Sequence, residues 1–107
     1  MAAIDDIAID PTLVKAFTMR AGVELQQPSP DARVLRENFD RAIELNPADT
    51  DTRLRYAAAL ELLGLKAEAA EQYRTALEFN DKLPIEEPER LPAEEVERIT
   101  KKIAELG

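Results

Sequence analysis

Phe39-Asp40-Arg41-Ala42-Ile43-Glu44-Leu45-Asn46-Pro47 recurs 34 residues later as Tyr73-Arg74-Thr75-Ala76-Leu77-Glu78-Phe79-Asn80-Asp81. Both stretches carry an aromatic, then alanine three residues on, an aliphatic next to it, and asparagine near the end. Self-similarity at a fixed spacing of this size marks a chain built from stacked supersecondary units, none of which buries its apolar face alone.

Working outward, the punctuation around both stretches is helical. Asp10-Pro11 predicts an N-cap with proline at the first helical position, where the missing N–H costs nothing. The helix runs to about Gln26 and is expected to bury Leu13, Phe17 and Leu25 along one stripe. Gln27-Pro28-Ser29-Pro30 ends it, with Ser29 the expected cap of a second helix and Pro30 its first residue. Val34, Leu35, Phe39, Ala42 and Ile43 recur there at three- and four-residue spacing, as an amphipathic helix requires. Asn46-Pro47 stops this helix, because the residue before proline is pushed out of the helical region. Asp49, Thr50 and Asp51 offer caps for a third helix carrying Leu54, Tyr56, Ala57, Leu60 and Leu63. Gly64 stands where a left-handed C-terminal residue is expected. A fourth helix spans Lys66 to about Asn80. Asp81 to Leu91 holds Pro84 and Pro88 among acids and reads as an extended linker (82–91). A last helix, 92–106, carries Glu94 and Glu95 early and Lys101 and Lys102 late, an order that complements the helix dipole. Val96, Ile99, Ile103 and Leu106 give it one apolar stripe.

The composition agrees with packed helices. Of the 107 residues 45% are hydrophobic but only 5% aromatic, so the core is aliphatic and alanine-rich. Period-two runs of β-branched and aromatic residues are absent, which argues against a sheet. The length suits one domain able to bury a core without metal or disulfide support. The formal net charge of −8 repels polyphosphates and anionic membrane surfaces, since nucleic-acid affinity rests on Lys and Arg neutralising phosphates. Eight acids against Lys82 and Arg90 lie between Glu78 and Glu97, read as a solvated face ahead of an acidic docking surface. Asp5 and Asp6 follow Met1 where a signal peptide needs basic residues, and no apolar segment is long enough to span a bilayer. The expectation is a soluble, acidic protein of the cytoplasm.

The two quoted stretches resemble the tetratricopeptide-repeat family, whose period is about 34 residues and whose second helix ends in an aromatic followed by x-x-Ala-Leu-x-x-x-Pro. Gly64 matches the family's glycine between helices, Ala69 its small residue, and Ala57 and Leu60 its packing positions. The departures are Met19 and Arg53 in place of the first-helix aromatic, Pro30 for the turn glycine, and Leu35 for the small residue. The resemblance implies an all-α fold, an antiparallel helix-pair superhelix of about five helices. Repeat one covers about 11–47 and repeat two about 48–81. Two units are fewer than the three that usually make a stable stack, so the last helix is expected to cap the array; the competing reading makes its stripe an intermolecular contact.

In this family the first helix of each repeat lines a groove that receives a peptide or a partner helix. Carried over, the groove positions are Phe17, Arg20, Ala21, Glu24 and Gln27 from one unit, and Asp51, Leu54, Arg55, Ala58, Glu61 and Leu62 from the other. Leu54 and Leu62 suit a partner's side chain, or else touch the first or last helix of this same chain. The family's carboxylate clamp of lysine and asparagine finds no donors at Leu54 or Ala58. Arg20 and Arg55 offer guanidinium groups for a carboxylate, or pair with nearby acids.

Chemistry has little support. With no histidine and no cysteine the commonest general base and the thiol nucleophile are missing. Asp49-Thr50-Asp51 lacks the glycine and terminal glutamate of a calcium loop, and no glycine-rich phosphate loop exists. The expected function is a protein-binding adaptor or scaffold, with no catalytic, cofactor or metal site. It takes a protein or peptide segment, neither nucleic acid nor membrane, and is a monomer or weak homo-oligomer. The alternative is a structural subunit or self-associating module that assembles through the C-terminal helix or the groove.

Overall fold

Proline, aspartate and glycine set the helix boundaries, and the core follows from where they fall. The computed structural model describes residues 11–106 apart from 48 and 89. Within them the protein is all-α, with five helices: α1 Pro11–Leu25, α2 Ala32–Leu45, α3 Thr50–Leu62, α4 Lys66–Asp81 and α5 Ala93–Leu106. The expected cap Asp10 lies outside the described residues. No helix among the described residues is long and apolar enough to cross a membrane. Internal contacts divide the chain into two units, Met1–Thr52 and Arg53–Gly107.

In the first unit α1 packs against α2. The residues α1 buries are Val14 and Ala21; Leu13 is 42% exposed, and Phe17 and Leu25 are half-buried. The buried line of α1 thus runs through Val14 and Ala21, with Phe17 and Leu25 of the expected stripe flanking it half-buried and Leu13 turned out. Close helix approach selects the small Ala21 over larger neighbours. The cap of α2 is also corrected. Asp31, with φ −90° and ψ 113°, accepts from the Arg33 N–H at 2.9 Å, whereas Ser29 and Pro30 precede the helix. Placing Pro30 before the cap leaves Asp31 in the extended conformation a capping carboxylate needs. Leu35, Phe39 and Ala42 are buried along α2, as their spacing predicts. Asn46 ends it, leaving the helical region before Pro47 while its N–H still bonds to the Ala42 carbonyl. Asp49 caps α3: its carboxylate accepts from the Thr52 hydroxyl at 2.9 Å and, at 3.4 Å, from the Thr52 N–H.

In the second unit α3 closes on Gly64. The Leu65 N–H reaches the Leu60 carbonyl at 2.9 Å and the Gly64 N–H reaches that of Glu61 at 3.0 Å. These are the two bonds of a Schellman motif, which requires a left-handed residue, and Gly64 has φ +81°. Tyr56, Ala57, Ala59 and Leu60 bury the inner face of α3. Along α4 Ala69, Ala70, Tyr73, Ala76 and Asn80 are buried. Helix α5 packs on α4 and buries Ile99 completely, with Val96, Ile103 and Leu106 half-buried beside it. Fully buried Leu35, Leu60 and Ile99 each contribute about 1.5–3 kcal/mol of transfer free energy.

The extended linker expected over Asp81 to Leu91 is not found. Helix α4 continues through Asp81, and the chain beyond it folds back on the helix end. The Asn80 side chain, 1% exposed, accepts from the Leu91 N–H at 2.8 Å. The Arg90 guanidinium donates to the carbonyls of Asn80 and Leu83. A cation at a helix C-terminus satisfies carbonyls that the helix itself leaves unpaired.

Candidate binding surface

The sequence recurrence falls on matching positions of α2 and α4. Ala32 and Lys66, which begin α2 and α4, stand one repeat period apart. Leu35, Phe39 and Ala42 are exposed by 0, 3 and 0%, and their equivalents Ala69, Tyr73 and Ala76 by 0, 4 and 0%. The first helices do not share this register. Pro11 and Thr50, which begin α1 and α3, are separated by more than one period, and so are their last residues, Leu25 and Leu62. Six residues join α1 to α2 but three join α3 to α4.

On α1 Phe17 and Arg20 come together, and Glu24 goes elsewhere. The Arg20 guanidinium lies 5.4 Å from the centroid of the Phe17 ring, and Arg41 from α2 lies 5.9 Å from it. Both are within the range at which a cation is attracted to a ring face. Phe17, Arg20 and Arg41, with Glu37, Asn38 and Asp40, line an open cleft of about 440 Å³. Arg41 also pairs with Glu44 at 3.6 Å. Glu24 instead accepts from the Asp31 N–H at 2.8 Å, so it holds the α1–α2 connection at the cap of α2. Ala21 is fully buried and Gln27 lies exposed beyond the end of α1.

On α3 the spacing of Asp51, Leu54, Arg55, Ala58, Glu61 and Leu62 places all six on one face. Asp51, Arg55 and Ala58 are exposed, Leu54 and Glu61 half-buried, and Leu62 is 77% exposed. Glu61 is already occupied. One carboxylate oxygen accepts from the Tyr73 hydroxyl at 3.1 Å and the other pairs with Lys102 at 3.1 Å, tying α3 to α4 and α5. Burial first, then the bond to Glu61 and its negative charge, pushes the Tyr73 hydroxyl up to about 12. What remains open to a partner on this face is a small apolar strip, Ala58 and Leu62, beside the charged Asp51 and Arg55.

Two clusters escaped sequence reasoning. Arg41 joins Phe17 from a different helix, with no local spacing signal to reveal it. Arg53 sits 4.9 Å and Lys82 5.3 Å from the centroid of the Phe79 ring, and burial lowers the Arg53 pKa. Among the described residues no group of three or more acids is placed to hold a metal ion. Compared with models of protein families, with curated proteins and with solved structures, the chain finds no match.

Proposed function

We propose that the chain is a protein-binding adaptor of the tetratricopeptide-repeat kind, which holds a segment of another polypeptide against the outer face of α3. The observation that carries this reading is the recurrence of one burial pattern, Leu35-Phe39-Ala42 and Ala69-Tyr73-Ala76, at the period of that repeat. The face itself supports it: Leu62 is 77% exposed next to Ala58 while Tyr56 and Leu60 take the inward side. With neither histidine nor cysteine, the reading assigns the chain no catalysis. The test is capture from source lysate with wild-type chain and an Ala58→Glu, Leu62→Glu variant. Both sites are exposed, so the variant keeps its helicity by circular dichroism. A prey lost only with the variant is the expected result; prey retained equally by both overturns the assignment.

The self-associating reading has its own support. Leu13, Met19 and Val23 of α1 are 42, 61 and 59% exposed, and apolar side chains so placed suit a contact between copies. A mass that rises with concentration in sedimentation, and stays constant in a Met19→Glu, Val23→Glu variant, would favour it over the adaptor.

A further inference from the structure

Among the described residues Ile85 is the barest of the large apolar side chains, 86% exposed, and it sits on a turn closed by main-chain bonds. The Glu87 N–H bonds to the Pro84 carbonyl at 3.0 Å, closing a turn with Ile85 and Glu86 at its tip. The Arg90 N–H bonds to the Glu87 carbonyl at 3.0 Å. Behind the turns the Arg90 guanidinium clips the carbonyls of Asn80 and Leu83, and buried Asn80 holds the Leu91 N–H. Leu83 and Leu91 are tucked in to half-burial, yet Ile85 between them points to water. The Pro84–Glu87 turn is therefore closed by a main-chain bond and not by burying its β-branched residue. A side chain displayed on a preset turn loses little freedom on binding, which is what a docking residue needs.

The charge around it selects the occupant. Glu86 beside Ile85 is exposed, as are Glu78 and Asp81 at the end of α4. From Glu78 to Leu91 the sequence carries five acids against two cations, Lys82 and Arg90. The field over the turn is negative, so an acidic protein, a nucleic acid or an anionic membrane is repelled and a basic surface attracted. We propose that Ile85, flanked by Glu86, is a docking hook for a basic protein offering an apolar pocket rimmed by lysine or arginine. This surface uses none of the α3 residues and does not rest on the adaptor reading.

The experiment places a photo-crosslinking residue in the full chain, Ile85→p-benzoylphenylalanine, with Lys101→p-benzoylphenylalanine as control, in the source cells. The adduct is identified by mass spectrometry, and the purified captured protein is titrated against wild type, Ile85→Ser, Glu86→Lys and Leu62→Glu. A basic protein crosslinked at position 85 and not at 101 is expected. Its affinity should fall about ten- to a hundredfold with Ile85→Ser, the range implied by losing one buried aliphatic side chain. It should also fall with Glu86→Lys and with added salt, and hold with Leu62→Glu. No adduct specific to position 85, an acidic partner or a second copy of this chain, or an affinity indifferent to Ile85→Ser overturns the proposal. Loss of binding with Leu62→Glu and not with Ile85→Ser would overturn the hook while leaving the α3 reading intact.

Discussion

Gly22 and Gly64 should answer opposite ways to the same substitution. Gly64 has φ +81° and closes α3; a Cβ built there meets nothing within 4 Å. Sterically the site has room, so any penalty for Gly64→Ala comes from the backbone alone. Forcing an L-residue into the left-handed region costs about 1–2 kcal/mol. Stiffening the unfolded chain returns about 0.4–1 kcal/mol. The net is a loss of about 1 kcal/mol, and Gly64→Asn should lose less because asparagine tolerates that region. Gly22 lies inside α1 with a helical backbone, and a Cβ there also meets nothing within 4 Å. Gly22→Ala should gain about 0.5–1 kcal/mol from helix propensity. Urea unfolding separates the two, because a slope of about 1–3 kcal/mol per molar turns such changes into midpoint shifts of about half a molar. Circular dichroism at 222 nm reads both units. Tyrosine fluorescence reads the second, since Tyr56 and Tyr73 both lie in it. A Gly64→Ala chain as stable as wild type, Gly64→Asn no better than Gly64→Ala, or a destabilised Gly22→Ala would refute the reasoning.

Two further outcomes test the second unit. Asn80→Ala removes the acceptor of the Leu91 N–H from a buried site and should cost about 1–3 kcal/mol. Hydrogen exchange should show the Leu91 amide losing protection while Tyr73, deep in α4, keeps it. The pH dependence follows from Tyr73, whose hydroxyl is pushed up from 10 to about 12. The folded state favours its neutral form, so the contribution is complete below pH 10 and disappears as pH rises through 12. Urea midpoints between about pH 9 and 11.5 should therefore fall more steeply for wild type than for Tyr73→Phe; parallel curves would remove Glu61 and burial as the cause.

The parts readable from sequence are those where one residue type settles a backbone conformation. Asn46 before Pro47 ends α2, Gly64 ends α3, and Leu35, Phe39 and Ala42 mark the inner face of α2. The misread parts lacked such a residue. In α1 the apolar side chains Leu13, Val14, Ala16, Phe17, Met19, Ala21 and Val23 wrap most of the circumference, so periodicity offers several faces and the packing of α2 chooses among them. Ser29 and Asp31 are both good caps, and only the position of Pro30 relative to the helix separates them. The stretch after Asp81 reads as unstructured because prolines and acids deny it a period. Its order comes from Asn80 and Arg90, and a side-chain bond to a main-chain group leaves no pattern in sequence. On the candidate surface, spacing grouped the α3 residues on one face, but the bond from Tyr73 to Glu61 depends on how α4 lies against α3.

The unequal register of the two helix types bears on the proposed function. A shift of one repeat period pairs Phe17 with Asp51, Arg20 with Leu54 and Glu24 with Ala58. Their surroundings do not match. Phe17 lies half-buried near two guanidinium groups, whereas Asp51 is exposed in the first turn of its helix. Glu24 closes a loop through the Asp31 N–H, whereas Ala58 faces solvent. Leu35, Phe39 and Ala42 and their counterparts Ala69, Tyr73 and Ala76 are buried, and close packing restricts such positions to residues that fit. Positions one repeat period apart thus meet different surroundings on α1, whose connection to α2 is six residues long. On α3, which ends in a Schellman turn three residues before α4, the proposed partner surface rests on the exposed side chains of Ala58 and Leu62 themselves.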